Sequence, residues 1–225
     1  MKKAIECYLV GLLILVLYFS LDFIFKINQP EFSRIILLVL SCILFYVGAT
    51  RVFKETNSNK ALKINLVIMF LIYLILLITL TLFDPLWGRH GLDKVIDTSS
   101  FKYYIDHALN LVPFKTISIY IKNMYLDILT TENVMYNLVG NFICMMPLSI
   151  FLPLLFKCEN NIKTFIKTII LIPIMIELIQ FITTSGSCDI DDVILNSSGA
   201  IILYLLISIK RVKRLLFKIL IREEI

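Results

Sequence analysis

Charge is scarce in this chain, histidine nearly absent, and no cysteine has a partner at a diagnostic spacing. Only 17% of the 225 residues are Asp, Glu, Lys or Arg, whereas an average soluble domain carries about 25%, so there is too little polar surface to face water. The two histidines, His90 and His107, stand without metal-ligand company, which removes a histidine-based metal centre. Five cysteines lie at 7, 42, 144, 158 and 188 with no paired spacing, which removes a zinc ribbon or a dithiol redox motif and leaves them as small packing residues. A glycine-rich phosphate loop, a nucleophile elbow and a dinucleotide fingerprint are all missing. No metal site is predicted, and the sequence names no cofactor.

What the chain has instead is hydrophobicity: 59% apolar residues and a mean hydropathy of +0.87. A span of the ~30 Å hydrocarbon core needs about 20 mainly apolar residues. Six segments qualify, approximately Ile5–Phe25, Ser33–Phe53, Lys63–Phe83, Asn133–Phe156, Thr164–Thr184 and Ile190–Ile209. The predicted fold is therefore all-α, a polytopic transmembrane helix bundle of about six spans, with no room for a separate soluble domain. Met1-Lys2-Lys3 precedes an apolar run that lacks a small-x-small cleavage site, so the first span reads as a retained signal anchor. The expected division is an accessory pair of spans over 1–60, a membrane domain over 61–210 and a basic tail over 211–225.

The net charge of +5 belongs to the flanks of the spans and carries no nucleic-acid signal. Fifteen Lys and Arg fall on one side, six of them between Lys210 and Arg222, and seven on the other. The basic excess marks the cytoplasmic side, so both termini are expected in the cytoplasm of a multi-pass cell-membrane protein. The basic segment Lys210 to Arg222 is expected to contact anionic membrane lipid. The connection from Asp84 to Glu132 lies on the outer side and is too long for a bare loop. Phe101, Tyr104, Ile105, Ala108 and Leu109 recur at helical spacing, as do Ile117, Tyr120, Ile121, Met124, Tyr125 and Ile128. Two interfacial amphipathic helices separated by Pro113 are predicted, with Trp87 as an aromatic anchor and Glu132 in the first turn of the fourth span.

Polar groups inside the spans are the functional candidates, because a charge at the centre of a membrane helix costs roughly 2.5–3.5 kcal/mol even on the lenient scale. Glu177 and Gln180 share a face of the fifth span, with Thr184 one turn on. Asp189, Asp192 and Asn196 follow an i, i+3, i+7 stripe at the start of the sixth, from which Asp191 points away, and Asn137 and Asn141 share a face of the fourth. The short turn Ser185-Gly186-Ser187-Cys188 makes spans five and six neighbours, so one shared polar pocket in the outer leaflet is expected. Amides also act as plain glue between membrane helices. Three acids do not, since neighbouring carboxylates resist ionising together and call for a proton, a cation or a basic ligand. Pro147, Pro153 and Pro173 are expected to kink their spans, and Asn196-Ser197-Ser198, inside a span, is a false glycosylation signal.

Three segments together resemble the VanZ family of bacterial membrane proteins: Leu109-Asn110-Leu111-Val112-Pro113-Phe114, then Asn137 to Leu148 with its Asn-x-x-x-Asn and Met-Pro-Leu elements, and Glu177 to Gly199 with Glu-x-x-Gln and Asp-x-x-Asp-x-x-x-Asn. The resemblance runs from about Thr79 to Tyr204 and leaves the first two spans as an addition. It brings Asn110, Pro113 and Phe114 into the candidate site. Ser149 stands where the family usually has glycine, and Ser187-Cys188 stand where many members have a base, so Asp189 and Asp192 have no obvious internal counter-ion. The resemblance implies reduced susceptibility to teicoplanin, or a general envelope role. Two mechanisms compete: an outer site that binds a lipoglycopeptide or lipid-linked cell-wall precursor, and a membrane-embedded enzyme acting on such a lipid with Glu177 or Asp192 as acid or base. An ion-coupled transporter fits less well, as the acids occupy one leaflet and no inverted repeat is seen.

Overall fold

A computed structural model of the chain describes residues 2–19, 31–82, 108–183 and 185–220. The chain divides into two compact units, residues 1–71 with 214–225, and residues 72–213. Trp87, His90, His107, Thr184 and most of the first expected amphipathic helix lie outside the described residues.

In the first unit, α1 (Lys2–Phe19) packs along α2 (Glu31–Thr56). A Cβ on Gly11 would touch Leu44 and Phe45, and one on Gly48 would press on the Tyr8 ring, so both glycines mark places where the helices run close. Arg51 donates to the Lys3 carbonyl and to Cys7 Sγ at 2.9 and 3.0 Å. The pairings 11 with 44, 8 with 48 and 3 with 51 run in opposite directions, so the pair is an antiparallel hairpin. The helix α3 (Lys60–Leu82) follows and continues into the second unit.

The second unit holds β1 (Leu109–Asn110), α4 (Lys115–Tyr125), α5 (Thr131–Cys144), α6 (Leu148–Leu155), a 3-10 turn (Lys157–Asn160), α7 (Ile162–Thr183), β2 (Cys188–Asp189) and α8 (Ile190–Ser208), with α9 (Lys210–Leu220) crossing into the first. Among the described residues four helical stretches are long and apolar enough to cross a bilayer: Lys60–Leu82, Thr131–Leu155, Ile162–Thr183 and Ile190–Ser208. They match the last four expected spans, while α1 and α2 cover the described parts of the first two.

The Thr131–Leu155 span is interrupted at Pro147, where a kink is expected, and so divides into α5 and α6. Pro147 has no N–H to donate, so the chain makes a turn at Met145–Pro147 and α6 starts afresh. Pro173, by contrast, is accommodated inside an unbroken α7. Thr130 caps α5 through the Asn133 N–H, with Glu132 in the first turn as the helix dipole favours.

The helix α8 is central and packs against α4, α5, α6 and α7. Between helices in lipid the hydrophobic effect contributes little, so close backbone approach and interhelical hydrogen bonds must hold the bundle. The sequence of α8 supplies both. Ser197 Oγ donates to the Ile169 carbonyl of α7 at 3.2 Å, and Ser149 Oγ of α6 donates to the Ala200 carbonyl at 2.6 Å. Ser149, fully buried, therefore ties α6 to α8 at the place where a glycine would only allow contact. Tyr204 stacks on Phe165 with centroids 4.1 Å apart. Outward-facing apolar side chains such as Leu171, Met175, Ile182, Leu205 and Leu206 are largely exposed, as lipid-facing residues are.

At Gly199 a Cβ would collide with the backbone carbonyl of Phe142 in α5, an obstacle that cannot rotate away. Gly199→Ala is expected to destabilise the protein by at least the upper end of the ~1–3 kcal/mol typical of overpacking, read as a lowered thermal midpoint in detergent. Gly48→Ala, which meets only a tyrosine ring, should be milder.

Candidate functional site

The candidate site grows from the point where α7 ends and α8 begins. Cys188 and Asp189 form a two-residue parallel bridge with Leu109 and Asn110, which brings the Leu109–Phe114 segment onto the acidic turn. Asp189 has extended backbone and caps α8, its Oδ1 accepting from the Asp191 N–H at 2.9 Å. The same carboxylate accepts from Asn110 Nδ2 at 2.9 Å and from Thr116 Oγ1. Asn110 also turns its own chain, its Oδ1 accepting from the Val112 N–H, while its Nδ2 reaches Thr116 Oγ1.

Asp191 is fully buried, at 0% exposure, and its two oxygens accept from the backbone N–H groups of Phe114 and Ile117. These are orphan donors at the start of α4, so Asp191 caps α4 from another helix. A carboxylate there also meets the positive end of the helix dipole. The Lys115 N–H donates to the Val112 carbonyl, closing a turn with Pro113 in its second place and Phe114 in its third. Pro113 suits that place because its ring pre-sets φ. Phe114 adopts φ 64°, ψ 5°, a left-handed conformation that L-residues avoid by about 1–2 kcal/mol. Its N–H on Asp191, and its carbonyl accepting from Ser118 N and Oγ, hold it there.

The remaining candidates distribute around this core. Glu177, 5% exposed, accepts the Asp189 N–H at 2.8 Å. Asp192 is half-buried and accepts from Asn141 Nδ2 of α5 at 2.6 Å. Asn196 Nδ2 donates to the Asp192 carbonyl at 2.8 Å, and its Oδ1 is buried without a hydrogen-bond partner. Gln180, on the same face as Glu177, donates instead to the Thr81 carbonyl at the end of α3. Asn137 bonds back to the Asn133 carbonyl of its own helix. The bonds thus join Asn110, Phe114, Glu177, Asp189 and Asp191 in one cluster and Asn141, Asp192 and Asn196 in its immediate continuation, whereas Gln180 and Asn137 serve helix α3 and helix α5.

Two residues of the site escaped the sequence reading. Helical spacing turns Asp191 away from Asp192, and what lies on that side is the start of α4. Thr116 carried no signal beyond its place two residues after Phe114. The burial of Cys188, reinforced by the Glu177 and Asp189 carboxylates, raises its thiol above the ordinary range, which makes it a sluggish nucleophile near neutral pH. Among the described residues no group of His, Cys, Asp and Glu is arranged to hold a metal ion.

Helix α4 has a half-buried stripe at Thr116, Ile117, Tyr120, Asn123 and Met124, and its other face exposes Ile119, Ile121 and Tyr125. This is the second expected amphipathic helix. Its end is closed by Asp127 at φ 54°, whose N–H donates to the Met124 carbonyl.

Comparison with protein families matches residues 70–211 to the family described as VanZ/LLP1. No curated protein and no solved structure gave a match. The matched stretch contains every residue of the cluster.

Loss of the α4 cap is measurable. Asp191→Ala strands two backbone donors, each worth about 1–3 kcal/mol when left unsatisfied. It is expected to raise amide hydrogen exchange across residues 114–120 by tenfold or more, while Asp191→Asn, which keeps one acceptor, should fall between. Unchanged exchange in Asp191→Ala would show that α4 is held by other contacts.

Proposed function

The chain belongs to the VanZ/LLP1 family, and from that premise we propose that it is a cell-envelope membrane protein that binds a lipid-tailed molecule at one polar end of its bundle and thereby lowers susceptibility to teicoplanin. One observation carries this reading. The first turn of α4 is bonded into the acidic cluster through Thr116 and Ile117, while the same helix exposes Ile119, Ile121 and Tyr125. Groups for a polar head and for an apolar tail therefore lie on one short helix, as recognition of an amphiphile requires. The half-buried Asn141 and Asp192 extend the polar part.

In this reading the acidic end faces outward and both termini face the cytoplasm, as the basic residues suggest. The strongly basic α9, with Lys210, Arg211, Lys213, Arg214 and Lys218, then meets the anionic inner leaflet. Catalysis is the rival use of the same end. Asp192 is its better candidate, because a general base must reach its substrate and Glu177 is buried against the Asp189 backbone.

Expression in a sensitive host is expected to raise the inhibitory concentration of teicoplanin several-fold and that of vancomycin less. Asn141→Leu should abolish the gain at unchanged membrane abundance. Equal protection against both drugs, or none, would remove the resistance role, and a changed lipid profile that Asp192→Asn restores would favour the enzyme. The orientation has its own test in whole cells. An impermeant maleimide should label Cys188 and spare Cys158, slowly at pH 7 and faster as the pH rises, because the raised Cys188 thiol yields more thiolate only in the alkaline range. Labelling of Cys158 alone would invert the topology.

A further inference from the structure

The acidic turn lies deeper than the spans beside it, and the register of their contacts gives the depth. Glu177 takes the Asp189 N–H, and six more residues of α7 follow Glu177 before the helix ends at Thr183, about 9 Å at the usual rise. A second contact gives nearly the same offset. Ser197 of α8 bonds the Ile169 carbonyl of α7; from there α7 runs fourteen residues on to Thr183 and α8 only seven back to Ile190, so α7 extends past the start of α8 by about 10 Å. Over that extension α7 stays apolar on its exposed side, with Leu178, Ile179 and Ile182 45, 39 and 76% exposed. The end of α3 lies at the same height, since its Thr81 carbonyl meets Gln180. Lipid-facing helix therefore continues above Asp189.

The segment Leu109–Phe114 is pinned to that depth. Leu109 and Asn110 pair with Cys188 and Asp189, and Asp191 holds the N–H groups of Phe114 and Ile117. Between these fixed points the turn leaves Leu111, Val112 and Phe114 65, 58 and 59% exposed. We infer that this turn is re-entrant: it dips below the hydrocarbon boundary and seats Leu111, Val112 and Phe114 among the acyl chains of the surrounding leaflet. Non-helical backbone survives at membrane depth only where its polar groups are met. Here the Val112 N–H bonds Asn110 Oδ1, the Phe114 and Ile117 N–H groups bond Asp191, the Lys115 N–H bonds the Val112 carbonyl and the Ser118 N–H the Phe114 carbonyl. Pro113 has no N–H to satisfy. Charge favours the same occupant, because α4 holds no acid while Lys115 and Lys122 are exposed two turns apart, and their long stems can carry the ammonium groups up to lipid phosphates. The apolar surface also continues onto a span: α5 packs on α4 and exposes Met135 and Tyr136. This depth holds in either leaflet, and with or without a role in teicoplanin tolerance.

Tryptophan fluorescence in a bilayer tests the depth. The chain has one tryptophan, Trp87, so Trp87→Phe gives a silent background for Val112→Trp and, as the reference near the top of α7, Ile182→Trp, both at exposed positions. The full-length proteins are held in nanodiscs of phosphatidylcholine brominated at a shallow, a middle or a deep acyl carbon, with acrylamide as the aqueous quencher. Val112→Trp is expected to lose at least half of its emission to acyl bromine, to be quenched most by a deeper carbon than Ile182→Trp, and to resist acrylamide. Leu111→Trp should repeat the pattern. Adding Asp191→Ala unseals two backbone donors, which favour water over hydrocarbon, so acrylamide quenching of Val112→Trp should rise at least twofold while Ile182→Trp stays as it was, a contrast that general unfolding would not give. An unmoved Val112→Trp in that variant would remove the sealing role of Asp191. Quenching of Val112→Trp mainly by acrylamide would put the tip in water, and quenching by neither agent would put it under a second copy of the chain. Either result overturns the re-entrant turn, as does a Val112→Trp signal no deeper than that of Ile182→Trp.

Discussion

Two carboxylates seated on two helix N-termini hold this bundle in its arrangement. Asp189 caps α8 and Asp191 caps α4, and between them they accept five hydrogen bonds from Asn110, Thr116, Phe114, Ile117 and the Asp191 backbone. Taking an ion out of water costs several kcal/mol even after relaxation. Here that penalty is offset by donors that the secondary structure leaves unpaired in any case. The arrangement is economical in a second sense: one turn of chain starts α8, anchors β1 and fixes where α4 begins. Phe114 can then remain left-handed because both of its backbone groups are engaged at the point of strain.

With α4 and the acidic turn fixed, the rest of the second unit is a problem of bringing helices close in a solvent as apolar as their own side chains. The stretch from Asn196 to Ala200 answers it with small and polar residues on successive faces. Gly199 lets α8 lie against the Phe142 backbone, Ser197 bonds α7, and the Ala200 carbonyl receives Ser149 of α6. Taken as letters, Asn196-Ser197-Ser198 is a misleading glycosylation motif. In the fold it is part of the surface on which neighbouring helices meet.

The sequence made some of this legible and hid the rest for definable reasons. Long apolar runs announce themselves by length, so α3, α7 and α8 fall close to their expected bounds, and the period of α4 shows in Ile117, Tyr120, Ile121 and Met124. Pro147 signals a lost donor and hence an irregularity, and the turn at Met145–Pro147 lies there. Gln180 and Glu177 share a face, yet the Gln180 amide reaches the Thr81 carbonyl while Glu177 receives the Asp189 N–H, since a helix face three residues long can border two neighbours. Asp191 was the least readable. Its role depends on a segment some seventy-five residues earlier in the chain, and spacing within α8 could give its direction but not what lies there.

The acids at this end therefore divide by burial and by the elements they join. Asp189 and Asp191 are buried and bonded to the chain's own donors, so replacing either disturbs α4 and the start of α8 before it disturbs any ligand. A loss of function at those positions would say little about recognition. Asp192 differs because it is half-buried and meets Asn141 on a neighbouring helix. The three acidic positions look alike in sequence, but the fold buries two of them to build the end of the bundle and leaves the third half-buried against α5.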